Sequence, residues 1–279
     1  MNATQADKAQ AFIRLHRQAH PLVMPNPWDV GTARILTGLG FEALATTSAG
    51  MAFSLGRRDG AVSRAEAMAH AQSIVEATHL PVSADLENGF GDAPKFVAET
   101  IRMAAATGLA GGSIEDSTGD AARPIYDKSL AVERIQAAVE AARWLPIPFV
   151  LTARAENYLH GRADLDDTID RLRAYDAAGA DVLYAPGLRD LDDIRRVCQA
   201  LSKPVNVLTG LAGSKLTVAD LGTAGVRRIS VGALLTRVAL GAFLKAAKEL
   251  REQGTFSFAD SAAAMKDLNP YFLGRPEKE

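Results

Sequence analysis

Acidic side chains follow two neighbouring apolar segments of the sequence, where parallel β-strands would end. Asp85 and Glu87 stand two residues apart at the end of PVSADLE, and Glu115 ends GGSIE. Residues two apart on a strand point to the same face, so Asp85 and Glu87 would share one space. Like charges in such a place need either a shared proton or a cation. Because Mg²⁺ prefers oxygen ligands and keeps several waters, the pattern predicts a Mg²⁺ site, with Mn²⁺ as an alternative ion.

Further acids strengthen this interpretation. An isolated Asp-x-Glu pattern is more often a capped turn with one solvated acid, and would be weak evidence alone. Asp116 follows Glu115, however, and Asp59 lies in the loop LGRRDGA after another apolar segment. Acids at the ends of consecutive strands are hard to explain by packing. We therefore predict Asp85, Glu87 and Glu115 as the metal-binding residues.

Two other segments carry groups that bind anions. In TTSAG, the small residues Ser48, Ala49 and Gly50 would let backbone N–H groups face a carboxylate or enolate oxygen, and Ser48 adds a hydroxyl. An ordinary tight turn is the alternative. Arg154 follows the apolar segment PFVLTA, and a guanidinium suits two-point binding of a carboxylate. A salt bridge from Arg154 to a nearby acid is an equal alternative.

The elements that would position these residues alternate along the chain. Apolar runs predict eight strands, at 21–26, 42–47, 81–87, 111–115, 148–154, 180–185, 203–208 and 227–232. Apolar residues that recur every three or four positions predict helices over 63–78, 95–108, 129–144, 165–179 and 191–201. Eight such units, with no GxGxxG after the first strand, favour an α/β fold of the (β/α)₈ TIM-barrel type over a dinucleotide-binding sheet. Active sites of these barrels form at the C-terminal ends of the strands.

The C-terminal part is longer than closure of a barrel requires. We predict one domain over 1–279, in which 240–279 is a C-terminal helical extension. A helix over 234–254 precedes an apolar region at 256–272. This extension would either pack against its own barrel or be exchanged between subunits.

Composition excludes several classes of function. The chain has 31 basic and 33 acidic residues and no basic tract, so neither nucleic acid nor an anionic membrane is an expected partner. No apolar stretch approaches the roughly 20 residues of a membrane span, and the N-terminus does not resemble a signal peptide. The single cysteine, Cys198, fits a cytoplasmic protein. The five histidines form no zinc-binding pair, and no lysine ends a strand, which disfavours zinc hydrolases and Schiff-base aldolases.

In combination, the motifs resemble the isocitrate lyase/phosphoenolpyruvate mutase superfamily. The resemblance runs from MPNPWD (24–29) to SVGALLTRVALGAF (230–243). It rests on TSAG (47–50), Asp59, DLENGFG (85–91), IED (114–116) and TAR (152–154). It implies that Asp85 coordinates Mg²⁺ most directly, and that Glu87, Glu115 and Asp59 act directly or through bound waters.

The resemblance also implies how a small 2-oxo acid is held and changed. Ser48 and the N–H groups of Ala49 and Gly50 would hold the oxyanion, and Arg154 would orient the substrate. We predict Arg154, Glu115 and Asp59 as catalytic residues, and Ser48, Ala49, Gly50, Arg154 and Asp85 as substrate-binding residues. Members of the superfamily make or break a bond beside a pyruvate-like unit through a metal-stabilised enolate. They usually form homotetramers, as dimers of dimers that exchange a C-terminal helix.

The segment 116–128 departs from the better-known members. Isocitrate and methylisocitrate lyases carry a Lys-[Lys/Arg]-Cys-Gly-His motif there, whereas this segment has neither Cys nor His. Phosphonate mutases and hydrolases use Lys and Asn there, and this segment has neither before Lys128. Arg123 and Tyr126 are its only reactive or anion-binding candidates, but we expect both to lie on the surface. Its Gly, Ser and Ala content suggests a mobile lid.

The leading hypothesis is a Mg²⁺-dependent lyase that cleaves a C–C bond in a small 2-oxo or 2-hydroxy (di)carboxylic acid, with oxaloacetate-type decarboxylation as one version. A phosphonopyruvate or carboxyphosphonoenolpyruvate-type phosphonomutase, or a P–C hydrolase, is the enzymatic alternative. A non-catalytic 2-oxo acid binder is the third hypothesis. The general acid/base stays open among Tyr126, Glu156 and a metal-bound water.

Overall fold

Eight parallel strands surrounded by helices form a (β/α)₈ barrel in the computed structural model, which describes residues 3–210 and 213–272. The strands are β1 Leu22–Met24, β2 Leu44–Ala45, β3 Val82–Asp85, β4 Gly111–Glu115, β5 Val150–Arg154, β6 Val182–Tyr184, β7 Val205–Leu208 and β8 Arg228–Ser230. Each pairs in parallel with its neighbour in the order β1-β8-β7-β6-β5-β4-β3-β2. A hydrogen bond from the Ala45 N–H to the Pro25 carbonyl joins the two remaining edges. The predicted fold class is confirmed.

The helices cover the outside of the barrel. They are α1 Gln5–Leu15, α2 Val30–Gly38, α3 Ser48–Ser54, α4 Arg64–Ala77, α5 Pro94–Ala106, α6 Lys128–Arg143, α7 Leu165–Ala178, α8 Leu191–Ala200, α9 Val218–Thr223, α10 Leu234–Gln253 and α11 Met265–Phe272. Two single 3₁₀ turns occur at Asn157–His160 and Ser257–Ser261. No described helix is long and apolar enough to cross a lipid bilayer. Periodicity did not predict α1, α2, α3 or α9, because these helices are short or carry few regularly spaced apolar residues.

Local sequence signals start and stop the helices that pack on the sheet. Ser63 accepts a hydrogen bond from the Glu66 N–H, and the Glu66 carboxylate accepts one from the Ser63 N–H, which forms a capping box at the start of α4. Gly179 ends α7 with φ of 101°, a left-handed conformation that glycine adopts without strain. The chain then turns directly into β6. Such boundaries set the strand ends, and with them the positions of the site residues.

Two apolar cores stabilise the barrel. The larger one lies between the strands and the outer helices α2 to α9. The smaller one lies at the N-terminal end of the barrel, where Ala9, Phe12 and Leu15 of α1 pack against Leu22 and Met24. Helix α1 therefore closes the end of the barrel opposite to the C-terminal ends of the strands.

The C-terminal extension projects an apolar surface. Of the 20 residues of α10, only Thr236 is buried. Val238 and Phe243 are 62% and 67% exposed. Helix α11 returns to the same chain, where the Tyr271 ring lies against Gly38 of α2. Residues 273–279 of the predicted extension lie outside the described residues.

Candidate active site

Strand register brings the predicted residues to the C-terminal end of the barrel. Glu115 pairs with Arg154, and Arg154 pairs with Tyr184. On the other side, Asp85 is the last residue of β3 and pairs with Ser113. Consecutive parallel strands thus deliver Asp85, Glu115 and Arg154 to one edge. This is the mouth of the barrel, where active sites form in this fold.

Arg154 is the centre of this edge. Its Nη1 lies 3.0 Å from Asp85 Oδ1, its Nη2 lies 3.2 Å from Glu115 Oε2, and its Nε lies 2.8 Å from Glu156 Oε1. The guanidinium carbon stands 5.0 Å from the centre of the Tyr184 ring. Only 13% of the Arg154 side chain is exposed. The salt bridge that the sequence allowed as an alternative is therefore present, to three carboxylates at once.

Carboxylates outnumber the guanidinium at this edge. Burial raises the pKa of Glu115 well above its usual value, although Arg154 opposes the shift. Burial likewise raises the pKa of Glu156, again against Arg154. A single positive charge does not compensate three acids and the adjacent Glu87. The mouth therefore favours either added protons or a further cation.

Glu87 differs from the strand residue that alternation predicts. Strand β3 ends at Asp85, and Glu87 adopts a left-handed backbone with φ of 49°, which is uncommon for a residue other than glycine. Its N–H donates to Asp85 Oδ1 at 3.3 Å. Its own Oε1 is buried and has no hydrogen-bond partner. Burial, together with the charges of Asp85 and Asp59, raises the pKa of Glu87 to about 7.

A divalent cation could bind at this edge even though the acids do not surround a common point. Among the described residues, no three His, Cys, Asp or Glu side chains stand close enough to surround one ion. Mg²⁺ is usually held by only one or two carboxylates and by waters, so a closed set is not required. The buried, unpaired oxygen of Glu87 beside Asp85 is the kind of hard donor that Mg²⁺ binds. Glu87 therefore fits such an ion best, with Asp85 beside it, although Asp85 and Glu115 both also pair with Arg154.

The predicted TTSAG turn is the start of helix α3. Thr47 caps this helix, and its hydroxyl accepts a hydrogen bond from the Gly50 N–H at 3.3 Å. The Ser48 N–H donates to Asp85 Oδ2 at 3.3 Å. A Cβ atom on Gly50 would approach Thr47, Thr236 and Trp28 to between 2.6 and 2.9 Å, so only glycine fits there. Ser48 and Ala49 line the cavity at the mouth, whereas the Gly50 N–H serves the cap.

The remaining predicted residues take different positions. Asp59 is exposed in the loop after α3, and it lines the cavity together with Ser48 and Asp85. Asp116 is buried away from the cavity lining, where Tyr175, Arg171 and the Glu156 N–H bind its carboxylate. Its role is to hold the ends of β4 and β5 together.

The segment 116–128 is anchored at both ends. Ser117 and Ile125 form a β-bridge, and the Tyr126 N–H donates to the Asp116 carbonyl at 2.8 Å. Tyr126 is only 6% exposed, and its hydroxyl donates to Asp92 at 2.6 Å. The expectation that Tyr126 lies on the surface is therefore wrong, and Tyr126 is absent from the cavity lining. The tip around Arg123 is exposed, and so are Asp127 and Lys128 at the end of the segment.

A cavity of about 210 Å³ connects the mouth to the interior of the barrel. Besides the predicted residues, it is lined by side chains that sequence reasoning missed: Asn26, Ser83, Ser113, Tyr184, Asn206, Arg228 and Ser230. Polar residues inside apolar strands were the available signal, since KPVNVL and RRISVG place Asn206, Arg228 and Ser230 on faces opposite to their Val and Ile neighbours. A larger cavity of about 680 Å³ lies at the other end of the barrel, beside His16 and Arg143, far from these groups.

The barrel, its polar cavity and the acid-rich mouth define a small-molecule enzyme site in a TIM barrel. Residues 12–251 match the phosphoenolpyruvate phosphomutase family model. The chain belongs to this family, within the isocitrate lyase/phosphoenolpyruvate mutase superfamily.

Relatives and solved structures of several activities are similar to this chain. A crystal structure from Burkholderia cenocepacia J2315 that carries a lyase/mutase assignment is 58% identical, with a TM-score of 0.94 and 97% of each chain covered. An uncharacterized protein of Mycobacterium tuberculosis is 34% identical over 87% of this chain and 89% of its own. The structure of oxaloacetate acetylhydrolase with the product oxalate is 26% identical, with a TM-score of 0.85 and 96% and 94% covered. The superfamily thus comprises lyases and mutases that act on small carboxylic acids.

Proposed function

We propose that this protein is a Mg²⁺-dependent lyase that breaks a C–C bond in a small 2-oxo or 2-hydroxy dicarboxylic acid, with decarboxylation of oxaloacetate as the simplest version. One observation carries the proposal. Asp85, Glu87, Glu115 and Glu156 surround a single arginine at the mouth of a polar cavity in the barrel. Such an excess of buried negative charge suits a bound cation. The cation would in turn stabilise the negative charge that forms on the substrate when the C–C bond breaks. The oxaloacetate acetylhydrolase structure supports the choice of substrate class.

The residues at the mouth of the barrel would have different roles, which follow from their positions. Asp85 and Glu87 would hold the cation, which when bound supplies Lewis-acid stabilisation of negative charge on the oxo oxygen. Ser48 and Ala49 line the cavity next to Asp85, where the Ser48 hydroxyl and the Ala49 N–H suit an oxyanion. Arg154 would orient the carboxylate while it keeps its contact with Glu115.

The bond change is balanced without another reagent. In oxaloacetate, the C3–C4 bond breaks, its electron pair remains on the pyruvate unit as an enolate, and CO₂ leaves. A proton then adds to C3. The Glu156 carboxylate accepts a hydrogen bond from Arg154 Nε, and burial raises its pKa. Glu156 is therefore a candidate for the group that supplies this proton.

A direct test is the release of pyruvate from oxaloacetate. We expect pyruvate above the background of Mg²⁺ alone, measured by coupled reduction with lactate dehydrogenase. The signal should disappear with EDTA and with Asp85→Asn, whereas a Glu133→Gln control on the exposed face of α6 should retain it. Saturable oxo-acid binding without turnover would replace the lyase with a binding protein.

The family model gives a specific reason to keep the phosphonate alternative. The same protein should therefore be incubated with phosphonopyruvate and followed by ³¹P NMR. Conversion to phosphoenolpyruvate or to free phosphate, in the absence of oxaloacetate turnover, would support the mutase or hydrolase instead. We expect no such conversion, because segment 116–128 has neither Lys nor Asn before Lys128.

We also propose that copies of this chain cover the apolar face of α10, in a homotetramer with an exchanged C-terminal helix. Large apolar side chains of α10 that are at least 39% exposed are Val238, Leu240, Phe243, Leu244 and Leu250. Apolar patches of this kind usually mark interfaces. Light scattering after size-exclusion chromatography should show a tetramer that Phe243→Glu dissociates. The control Trp144→Glu, at an 89% exposed position outside α10, should leave the tetramer intact.

A further inference from the structure

A second arginine lies deep in the cavity. Arg228 is only 4% exposed, yet it lines the same cavity as Asp85 and Arg154. Its Nε donates to Asn206 Oδ1 at 2.9 Å, whereas its Nη1 is buried and has no hydrogen-bond partner. Burying such a donor without a partner is costly, so the group calls for a ligand.

Among the residues that the structure describes, no carboxylate pairs with Arg228. Asn206 donates to Ser230 Oγ at 3.0 Å, and the Tyr184 hydroxyl interacts with the same serine. Burial raises the pKa of Tyr184 to about 12, so this hydroxyl keeps its proton. Burial also lowers the pKa of Arg228 to about 10, which still leaves it charged at neutral pH. Arg154 pairs with carboxylates, whereas the side chain that hydrogen-bonds Arg228 is the neutral Asn206, and the charge of Arg154 further lowers the pKa of Arg228.

The barrel register gives the depth of Arg228. Arg228 pairs with Asn206, Asn206 with Tyr184, and Tyr184 with Arg154, so the two arginines lie in one hydrogen-bonded row, three strands apart. Such rows climb by about one residue per strand in an eight-stranded barrel, which places the Arg228 backbone roughly 8 Å below that of Arg154. A four- or five-carbon diacid and the length of the arginine side chain together bridge that separation.

We propose that Arg228, supported by Asn206 and Ser230, binds the second carboxylate of the substrate, so that the protein selects 2-oxo dicarboxylates over 2-oxo monocarboxylates. The inference rests on the proposed function, since it assumes that the oxo-acid head lies at Asp85 and Ser48. It adds that the tail points into the barrel, towards its N-terminal end. The unpaired Nη1 donor carries this assignment, together with the lack of a neutralising acid in the described part of the chain.

A structural role for Arg228 is the competing explanation. Nε2 of His16 is also buried without a partner, and the charge of Arg228 influences the pKa of His16. A buried water between the two side chains would satisfy both. In that case Arg228 would affect stability but would not distinguish between ligands.

The test compares two ligands that differ only in the terminal group. Calorimetric titration with Mg²⁺ should show that the wild-type protein binds 2-oxoglutarate about 10- to 100-fold more tightly than 2-oxopentanoate, the range expected for hydrogen bonds to a charged group. Arg228→Met should abolish this preference and leave the affinity for 2-oxopentanoate within about threefold. Arg228→Lys should restore part of it. The control Arg227→Met, at the neighbouring residue whose guanidinium donates to the Ala19 carbonyl, should keep it.

The other outcomes contradict either the proposed function or the role of Arg228. If neither ligand binds, the head-group site and hence the proposed function fail, and this inference fails with them. If both bind but the wild-type protein shows no preference, only the role of Arg228 is refuted; this holds even if Arg228→Met does not fold. If Arg228→Met weakens both ligands equally, Arg228 is structural.

Discussion

At the N-terminal end of the barrel, Phe12 and Leu15 of α1 pack on Leu22 and Met24 in a small apolar core. At the C-terminal end, Arg154 meets three carboxylates beside an open cavity. One end is closed by hydrophobic burial, which stabilises the fold, whereas the other gathers charges whose burial is costly. On the proposed function, stability and ligand binding therefore depend on different groups, which lie at opposite ends of the barrel.

The largest expected effect is the loss of ligand affinity on substitution of Asp85, at the C-terminal end of the barrel. We expect Asp85→Ala to weaken Mg²⁺-dependent binding of 2-oxoglutarate more than about 1,000-fold, or roughly 4 kcal/mol, because it removes the carboxylate shared by Ser48, Glu87 and Arg154. The thermal midpoint should change little. Calorimetric titration and thermal melts measure the two quantities. Retained affinity would show that the cation lies elsewhere.

The matching change at the apolar end is Phe12→Ala. Phe12 is fully buried, so its truncation should lower the free energy of unfolding by about 3 to 4 kcal/mol, measured by urea titration. Ligand affinity of the folded variant should match that of the wild type. An affinity loss in this variant would mean that the two ends are coupled.

Arg154→Met tests the charge balance of the mouth. Its removal should weaken 2-oxoglutarate binding about 100-fold, since the substrate carboxylate loses a charged donor. Mg²⁺ affinity should not fall, because Asp85 and Glu115 lose a competing cation. Titration of each ligand separately gives both affinities, with exposed Arg102→Met as the control. Equal losses in both would make Arg154 a structural residue.

The smallest expected effect is the pH dependence of His16. Burial, with the charge of Arg228, lowers the pKa of His16 to about 4, whereas the unfolded chain has a value near 6.5. The unfolded chain therefore binds more protons between these values, so stability falls as the pH decreases through 6.5. By pH 5 this loss is about 2 kcal/mol relative to pH 8. His16→Gln should show a loss that is smaller by this amount in urea titrations at the two pH values; identical pH profiles would refute the assignment.

Much of the barrel follows from apolar periodicity in the sequence. The segment GGSIE coincides with β4, a strand that is buried on both faces, and the pattern over 165–179 matches α7, which buries one regular face. Register could not be deduced, so neither could the row that joins Arg228 to Arg154. The pairing of Arg154 with Asp85, Glu115 and Glu156 likewise required coordinates, since each acid comes from a different strand end or loop.

Local conformation explains what the sequence misassigned at the site. Alternation failed at Glu87 because the chain leaves the strand after Asp85 and turns through residues with positive φ at Glu87, Gly89 and Phe90. Tyr126 looked exposed because its loop is polar, but Arg134 stacks on its ring and Asp92 accepts a hydrogen bond from its hydroxyl. Contacts between distant segments decided both cases, and a single sequence does not reveal them.

The polar lining of the barrel has a consequence for evolution and engineering. Many TIM barrels fill this space with Val, Ile and Leu, whereas here Ser83, Ser113 and Asn206 face the cavity. Replacing such residues with aliphatic ones should yield more stable proteins that no longer bind the ligand, which is the usual trade-off between stability and activity. A library that varies only these interior positions could therefore change the ligand specificity, while the apolar core between the strands and the outer helices keeps the barrel folded.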